Sequence, residues 1–339
     1  MGLTLSILDL SPVSEGASSA AALRSTLDLA RRADDLGYHR YWLAEHHNSG
    51  FIASAVPEIM IAHVAGITRN MRVGSGGVML PNHAPLKVAE AFRTLEALHP
   101  GRIDLGLGRA PGTDPKTAIA LRRSREALRA EDFPEQLTEL LGFLSGDFPV
   151  GHPYRSIVAN PAGVDPPDLW LLGSSGTSAR IAAERGLAFA FAHHISPLPA
   201  VESLREYRAT FRPSAYCAKP KTLIAVSAIC APADDEAEML AKPVELALLR
   251  LGQGRRPPLT SIEDALAYPY RDHELEQVAL NRGRLFVGTA AKVRGQLLDL
   301  AEATGVDEIM VTTITHDPAD RIRSYELLAA EFGIGSKPE

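Results

Sequence analysis

The histidines are the main candidates for catalytic or binding residues in this sequence. Six of the eleven histidines follow short runs of β-branched, aromatic or aliphatic residues that are typical of strands. Because imidazole titrates near neutral pH, these residues can serve as general bases or hydrogen-bond donors. A single histidine is more often structural, but six at strand ends indicate one shared polar rim. They are His46, His47, His83, His193, His194 and His316.

Glu45, His46 and His47 stand in sequence directly after the predicted strand RYWLA. Adjacent residues of a strand point to opposite faces, so the two histidines cannot both face one site in regular strand geometry. We therefore expect one of them to be a general base or hydrogen-bond donor and the other to be structural.

Three glycines interrupt the next predicted strand, VGSGGVML, at Gly74, Gly76 and Gly77. Glycine weakens the interior of a strand, so its presence needs a reason. A bulge, a strained peptide or a flat ligand against the backbone would each supply one. A plain turn is disfavoured, because the apolar run resumes directly after the glycines.

An anion site is predicted where Gly173-Ser174-Ser175-Gly176-Thr177 leads from a strand straight into a helix. Free N–H groups, hydroxyls and the positive end of a helix together favour a phosphate. A plain serine cap would explain one hydroxyl but not the whole string. Arg109, in the loop after the preceding strand, would complete the site. The loop GLGRAPGTD is not a dinucleotide fingerprint, because Pro111 occupies the third glycine position.

Eight strands alternate with helical segments, which predicts a closed (β/α)₈ barrel rather than an open, doubly wound sheet. Gly37, Gly186 and Gly305 each suit the end of a helix. The strands are expected near residues 3–10, 40–44, 71–79, 102–107, 168–172, 187–192, 221–230 and 307–313. The helices are expected near residues 20–36, 54–68, 86–98, 115–143, 176–185, 198–211, 289–304 and 318–332.

Two segments exceed the simple alternation of strands and helices. Residues 144–167 are rich in proline and glycine and predict a loop or a small hairpin. Residues 231–288 form a long insertion after the seventh strand, where lids over a barrel mouth are found. With no sign of a second core, residues 1–335 are predicted to form a single domain.

Composition excludes several classes of partner. The formal charge of −6 lacks the excess of Lys and Arg that a nucleic-acid binder needs. No apolar run approaches the length of about 20 residues that spans a bilayer. The N-terminal residues lack a basic region, so no signal peptide is expected. Cys217 and Cys230 offer neither a disulfide framework nor metal-ligand spacing, which suits a reducing cytoplasm.

Taken in order, three segments resemble the bacterial-luciferase-like flavin-dependent monooxygenases, and the likeness covers most of the chain. The segments are RYWLAEHHN, VGSGGVMLPNHAPLKVAEAFRTLEALHPGRIDLGLGRAPGTD and LLGSSGTSARIAAERG. That family is a TIM barrel that holds reduced FMN, or in one branch a deazaflavin, in its mouth. The resemblance implies the same fold, the same site and a cofactor of this kind here.

The resemblance also assigns roles to residues by position. Gly76 and Gly77 match the family's cis peptide bond behind the flavin ring. Residues Arg109, Ser174 and Thr177 match its phosphate ligands, and Ser175 and Gly176 offer backbone N–H groups. His46 matches the histidine regarded as a catalytic base in luciferase, with Glu45 beside it. Gly173 and Gly108 replace an acidic residue and a reactive cysteine of luciferase, which argues against its aldehyde chemistry.

The resemblance implies an oxidoreductase that uses reduced FMN and O₂ to oxygenate a small organic substrate, with a separate flavin reductase as electron source. Deazaflavin-dependent hydride transfer is the alternative within the fold. A metal-dependent hydrolase using the rim histidines is another, but the first strand offers Asp9 and Ser11 instead of a His-x-His pair. The last alternative for the function is a non-catalytic subunit that binds flavin. Family members pair through helices equivalent to 54–68 and 86–98, so a homodimer is expected.

Overall fold

Eight parallel strands close into a barrel in the computed structural model, which describes residues 2–110, 112–122 and 132–335. The last strand pairs with both the first and the seventh, so no edge remains. The predicted (β/α)₈ barrel is therefore confirmed, and an open doubly wound sheet is excluded. The barrel strands are β1 (Thr4–Asp9), β2 (Arg40–Leu43), β3 (Arg72–Ser75) with its continuation β4 (Val78–Met79), β5 (Ile103–Gly108), β6 (Asp168–Gly173), β7 (Ala188–Ala192), β8 (Thr222–Cys230) and β10 (Glu308–Thr312); β9 (Leu285–Gly288) lies outside the barrel.

Helices connect these strands at nearly every predicted position. The stretch predicted as one helix over 115–143 contains two helices in the described residues, and 123–131 lie outside that part of the chain. The helices are α1 (Ser19–Asp35), α2 (Pro57–Ile67), α3 (Pro85–Leu98), α4 (Pro115–Arg122), α5 (Phe133–Ser145), α6 (Gly176–Arg185), α7 (Ala200–Thr210), α8 (Asp234–Gly252), α9 (Ile262–Ala267), α10 (Asp272–Arg282), α11 (Ala290–Thr304) and α12 (Pro318–Phe332), with a 3₁₀ turn at Leu80–Asn82.

The glycines predicted at helix ends do end helices. Gly186 and Gly305 follow α6 and α11 with φ of 63° and 65°, and Gly37 follows α1 with φ of 83°. Only glycine adopts this left-handed conformation without steric cost, so the chain can turn from helix to strand at these points.

The segment 144–167 is a loop. Its residues from 146 onward form turns and bends without a strand, so the hairpin alternative is wrong. It leads from α5 to the beginning of β6 and therefore lies at the amino-terminal end of the barrel.

The insertion after β8 contains α8, α9, α10 and a fourth element that the sequence did not reveal. Strand β9 pairs in parallel with the end of β8, from Ser227 to Cys230. The insertion also contacts the loops that follow β1 and β2. Leu259 N–H donates to the Val13 carbonyl at 2.8 Å, and Gly50 N–H donates to the Arg256 carbonyl at 3.0 Å. The segment therefore lies against the carboxyl-terminal rim of the barrel.

The barrel interior combines two large aromatic residues with many small ones. Trp42 and Trp170 meet edge to face, with ring centroids 5.4 Å apart. Small neighbours leave room for both indoles, since a packed interior has little spare volume. The other buried members of this cluster are Leu8, Ala44, Ala188, Ala190, Leu223, Ala225 and Met310.

Charged residues close the amino-terminal end of the barrel. Arg40 pairs with Asp104 at 2.8 Å and with Glu308 at 2.8 Å, and Arg72 pairs with Asp104 at 2.6 Å. The indole N–H of Trp42 adds a bond to Asp104 at 2.9 Å. Asp104 is fully buried and Arg40 is 3% exposed, so these charges depend on one another for solvation.

Candidate active site

Apart from Gly76 and Gly77, the predicted site residues lie beyond the carboxyl ends of barrel strands, which is the end where TIM barrels hold their chemistry. Glu45 and His46 follow β2, and Arg109 follows β5. The string from Ser174 to Thr177 joins β6 to α6. The pair Gly76–Gly77 lies between β3 and β4. Residues distant in sequence are thus brought to one rim.

Glu45 is the centre of a buried hydrogen-bonded cluster. Its carboxylate lies 2.8 Å from His47 Nε2 and 2.9 Å from His83 Nε2, and it accepts from Met79 N–H at 2.9 Å. Burial would raise the pKa of Glu45, but these three bonds outweigh burial and lower it. The carboxylate is therefore ionised and holds β2 against the turn that follows β4.

The Glu45 carboxylate acts on His83 in the opposite direction. Burial alone would lower the pKa of His83, but the hydrogen bond and the negative charge of Glu45 outweigh burial and raise it. The sequence placed His83 on the rim but gave no sign of its partner. A Glu-His-His string followed about 35 residues later by another histidine is a weak signal without the fold.

His46 has different surroundings from His47. Its Nδ1 is buried without a hydrogen-bond partner among the described residues, and burial together with the nearby His194 imidazole lowers the pKa of His46 to about 4. His46 is therefore neutral at pH 7, whereas His47 is tied to Glu45. Both residues lie past the end of β2, so loop geometry rather than strand alternation separates them.

His193 and His194 follow β7, which is four strands away from β2 in the closed order of the barrel. His194 Nδ1 lies 3.0 Å from the Ala225 carbonyl, and burial lowers the pKa of His194. The ring of His193 stacks on Phe286 of β9 at 5.6 Å, and burial lowers the pKa of His193 to about 4. Both imidazoles are neutral at pH 7.

The peptide bond between Gly76 and Gly77 is cis, as the family resemblance implied. Packing explains why glycines occupy this stretch. A Cβ on Gly74 would lie 2.4 Å from the Asp104 carbonyl oxygen, one on Gly76 would lie 2.6 Å from Leu8, and one on Gly77 would lie 2.7 Å from the Gly106 carbonyl oxygen. The close approach of neighbouring strands is thus a sufficient reason, and no ligand is needed to account for it.

The start of α6 has the features of an anion site. Ser175 is the N-cap residue, yet its side chain makes no capping bond. The hydroxyls of Ser174, Ser175 and Thr177 have no partner among the described residues, and all three side chains are half-buried or exposed. A plain serine cap is therefore excluded here. The first-turn N–H groups of α6 remain available to an anion.

Arg109 is exposed at the end of β5 and makes no ion pair within the described part of the chain. Strands β5 and β6 are paired neighbours, with Leu107 opposite Leu171, so the loops that follow them are adjacent. A carboxylate lies at the same helix end, because Glu206 Oε2 would be 3.3 Å from a Cβ on Gly176. Glu206 is itself paired with Arg180 at 3.4 Å.

The loop after β5 is bonded to the loop after β2. His47 N–H donates to the Gly112 carbonyl at 3.3 Å, and the Thr113 hydroxyl donates to the His47 carbonyl at 2.9 Å. Asn48 Nδ2 donates to Asp114 at 2.9 Å. These contacts connect the loop that carries Arg109 to the loop that carries His46.

Close contacts surround the two positions where this chain departs from luciferase. A side chain at Gly173 would place its Cβ 2.4 Å from that of Ser178, and one at Gly108 would place it 2.5 Å from the sulfur of Met79. Neither an acidic residue nor a cysteine fits these positions without movement of a neighbour.

The metal-hydrolase alternative finds no geometry in the described residues, where no group of three His, Cys, Asp or Glu side chains is placed to hold a metal ion. Asp9, which the sequence offered at the first strand, is bonded to Arg321 and Tyr41. The described helices include none long and apolar enough to cross a membrane.

The closed barrel is shared with solved structures of other proteins. The apo crystal structure of MsnO8 superimposes with a TM-score of 0.90 at 40% identity, covering 100% of this chain and 99% of that one. The oxygenating constituent of 3,6-diketocamphane monooxygenase in complex with FMN has a TM-score of 0.70 at 19% identity, and an F420-dependent secondary alcohol dehydrogenase has 0.67 at 14%. At these identities, the diketocamphane monooxygenase and the alcohol dehydrogenase share only the fold with this chain.

Sequence comparison identifies the family. Residues 3–308 match the luciferase-like monooxygenases, and the chain belongs to that family. A luciferase-like monooxygenase of Escherichia coli strain K12 is 42% identical over 96% of this chain and 96% of its own length. The N-acetyl-S-alkylcysteine monooxygenase of Bacillus subtilis strain 168 is 35% identical over 96% of this chain and 97% of its own.

Proposed function

We propose that this protein is an FMN-dependent monooxygenase that uses reduced FMN and O₂ to oxygenate a small organic substrate. Family membership and the FMN complex of a protein with the same fold support this proposal. The uncapped start of α6 is the observation that carries it. A helix end that leaves its N–H groups and three hydroxyls unpartnered beside an exposed arginine suits a phosphate.

In this proposal the FMN phosphate is held by the side chains of Arg109, Ser174 and Thr177 and by the N–H groups of Ser175 and Gly176. The arginine supplies a permanently charged planar fork that matches phosphate oxygens. The flavin ring would lie against the Gly76–Gly77 peptide. The bound cofactor would supply the electrons that activate O₂.

His46 is the proposed catalytic residue, because it is neutral and borders the mouth. Glu45 was a second candidate, but its carboxylate already accepts bonds from His47, His83 and Met79. We therefore propose a positioning role for Glu45. It would fix the loop of His46 relative to the turn after β4.

The insertion 231–288 is proposed as a lid within a single domain over 1–335. Its Phe286 stacks on His193, and the positive charge of Arg256 lies close enough to His46 to lower the pKa of that imidazole. A segment in this position would exclude water from the bound flavin.

The phosphate site can be tested by titrating the purified protein with FMN. Charge-assisted hydrogen bonds contribute roughly 1.5–3 kcal/mol, so Arg109→Ala should weaken FMN binding about 10–150-fold. Riboflavin, which lacks the phosphate, should bind wild type and variant equally. Arg155→Ala, at an exposed arginine in the loop 144–167, is the matched control.

Two outcomes would contradict this assignment. If riboflavin loses as much affinity as FMN, Arg109 does not hold the phosphate. If a deazaflavin binds more tightly than FMN and O₂ is not consumed, the protein belongs with the hydride-transfer enzymes of this fold.

A homodimer is proposed through the faces of α2 and α3. Ile59 is 58% exposed and Leu98 is 65% exposed, and an isologous pairing would cover both. Light scattering at micromolar concentration should give twice the mass of the chain. A monomeric mass would contradict the proposal.

A separate flavin reductase is proposed as the source of electrons, because the loop after β5 lacks a dinucleotide fingerprint. The cysteines Cys217 and Cys230 are unpaired, which supports a reducing, cytoplasmic setting where such reductases and O₂ are both available.

A further inference from the structure

A cavity of about 400 Å³ opens at the carboxyl-terminal rim between the first turns of α1 and α12. Its walls come from these two helices and from the loops that follow β1 and β10. In the closed order of strands, β1 lies four places from β6 and β10 lies four places from β5. The cavity is therefore separate from the proposed phosphate site, which the loops after β5 and β6 form.

Arg321 supplies a buried hydrogen-bond donor to this cavity. The residue is 2% exposed, its Nε donates to the Thr313 carbonyl at 3.1 Å, and its Nη2 donates to Asp9. Nη1 has no partner among the described residues, yet it keeps some exposed surface, because it is not among their fully buried unpartnered atoms. Since Arg321 lines the cavity, the free N–H groups of Nη1 face it. Leaving them unpaired costs free energy unless an acceptor enters the cavity.

The walls of the cavity are bonded to each other and to the insertion 231–288. The Ser14 hydroxyl donates to the His316 carbonyl, which joins the loop after β1 to the loop after β10. Glu15 N–H donates to the Leu259 carbonyl of the insertion at 2.7 Å. The walls are thus held in place without a ligand, as is usual for binding sites of small molecules.

Charges of both signs line the cavity at different depths. The Arg321 guanidinium lies at the floor, where it is paired with Asp9. Glu15 is exposed at the open edge, and its carboxylate makes no hydrogen bond or ion pair within the described part of the chain. Asp317 is also exposed, and it accepts from Ala319 N–H at 2.7 Å. An anion alone would meet these two carboxylates, and a cation alone would meet Arg321.

We propose that this cavity binds a small zwitterion that carries both a carboxylate and an ammonium group, such as a free amino acid. The carboxylate would accept from Arg321 Nη1 at the floor, close to the positive ends of α1 and α12. The ammonium would lie at the open edge and pair with the Glu15 carboxylate. Neither contact involves a flavin, so the inference goes beyond the proposed function and does not depend on it.

Binding can be measured by saturation-transfer NMR on the purified protein. Alanine, β-alanine and 4-aminobutyrate place the two charged groups at increasing separations, whereas propionate lacks the ammonium and ethylamine lacks the carboxylate. A charge-assisted hydrogen bond corresponds to roughly 10–150-fold in affinity, so the best amino acid should bind that much more tightly than ethylamine. An exposed ion pair corresponds to about two- to fivefold, which is the expected preference over propionate.

Variants show whether the amino acid binds in this cavity. Arg321→Ala would leave Asp9 buried without its partner and is therefore unsuitable. Ser25 lines the cavity from α1, so Ser25→Leu should fill the space and abolish binding. Glu15→Gln should remove the preference for the amino acid over propionate. Glu276→Gln, at an exposed carboxylate of α10, is the matched control and should leave both affinities unchanged.

Three results would overturn the proposal. The first is that none of the three amino acids binds more tightly than propionate. The second is that Ser25→Leu, with the unfolding temperature of wild type, keeps its affinity for the amino acid. The third is competition between the amino acid and FMN, which would place the probe in the proposed flavin site. If FMN fails to bind but the amino acid binds as expected, the proposed function fails and this site stands.

Discussion

The two ends of this barrel treat polar groups in opposite ways. At the amino-terminal end, Arg40, Asp104, Glu308 and Arg72 are buried or largely buried, and each is paired with another. Such a network satisfies its own charges and leaves nothing for a ligand. In TIM barrels this end serves stability.

At the carboxyl-terminal end Glu45 and His83 are bonded to each other, but several other polar groups have no partner in the described residues. His46 Nδ1, the Arg109 guanidinium and the hydroxyls at the start of α6 have no bonds within the described chain. Leaving polar groups unsatisfied costs free energy unless something else binds them. Unpartnered buried atoms also occur elsewhere, for example at Trp170 Nε1 and Glu96 Oε2, so they indicate a candidate ligand site only where they coincide with the carboxyl-terminal rim. Four experiments test this contrast between the two ends.

The largest effect is expected at the mouth. Removing the proposed catalytic imidazole by His46→Ala should lower the rate of substrate oxygenation by about 10²–10⁴-fold while FMN still binds, because general acid–base groups contribute that much. The rate is measured with reduced FMN supplied directly. A loss smaller than about tenfold would contradict the catalytic role.

At the other end, the expected effect is on stability. Asp104→Asn removes the buried negative charge that Arg40 and Arg72 share and leaves Arg40 with Glu308 alone, which should lower the free energy of unfolding by about 3–5 kcal/mol. Asp28→Asn removes an exposed pair with Arg31 and should cost at most about 0.5 kcal/mol. Denaturant titration measures both. If Asp104→Asn lost FMN affinity while its free energy of unfolding stayed unchanged, the contrast between the two ends of the barrel would be wrong.

Lowering the pH should reduce the free energy of unfolding, because the buried histidines of the barrel mouth are neutral in the folded protein. The folded pKa of His193 is about 4, below the value of 6.5 expected when unfolded. The unfolded chain therefore binds the proton first, so this stability is present above pH 6.5 and is lost as the pH falls toward 4. Between pH 7 and pH 5, wild type should lose about 2 kcal/mol more than His193→Phe. Equal losses in the two proteins would contradict the burial of a neutral ring.

The smallest effect concerns the Glu206 carboxylate beside the proposed anion site. Glu206→Gln removes a negative charge near the start of α6, and a charge at a helix end contributes about 0.3–1 kcal/mol. FMN should bind roughly two- to fivefold more tightly as a result. Glu184→Gln, near the other end of α6, is the control and should leave the affinity unchanged. Weaker FMN binding in Glu206→Gln would show that the carboxylate supports the site.

Much of the fold could be predicted because its signals are local. Most barrel strands are short apolar runs, although β3 contains only one apolar side chain, Val73, and glycines such as Gly186 and Gly305 mark where helices end. Strand β9 escaped prediction because its four residues, Leu285–Gly288, become a strand only by pairing with β8. Sequence alone cannot show that pairing.

The candidate site also has a part that the sequence predicts and a part that it does not. Arg109 and the string from Ser174 to Thr177 are recognisable because residue type and position carry their chemistry. The partners of Glu45 could not be predicted, since His83 and Met79 reach it only through the packing of β4 against β5. The need for glycine at Gly74 likewise comes from Asp104, thirty positions further along the chain.

The bonds between the loops that follow β2 and β5 have a consequence for protein engineering. His47, Asn48, Gly112 and Thr113 join the two loops into one unit, so neither can be transplanted into another barrel alone. A chimera that exchanges only the Arg109 loop would leave the His47 N–H and the Asn48 amide without acceptors. Exchanging both loops together would carry Arg109, the proposed phosphate ligand, and the position of His46 as one unit.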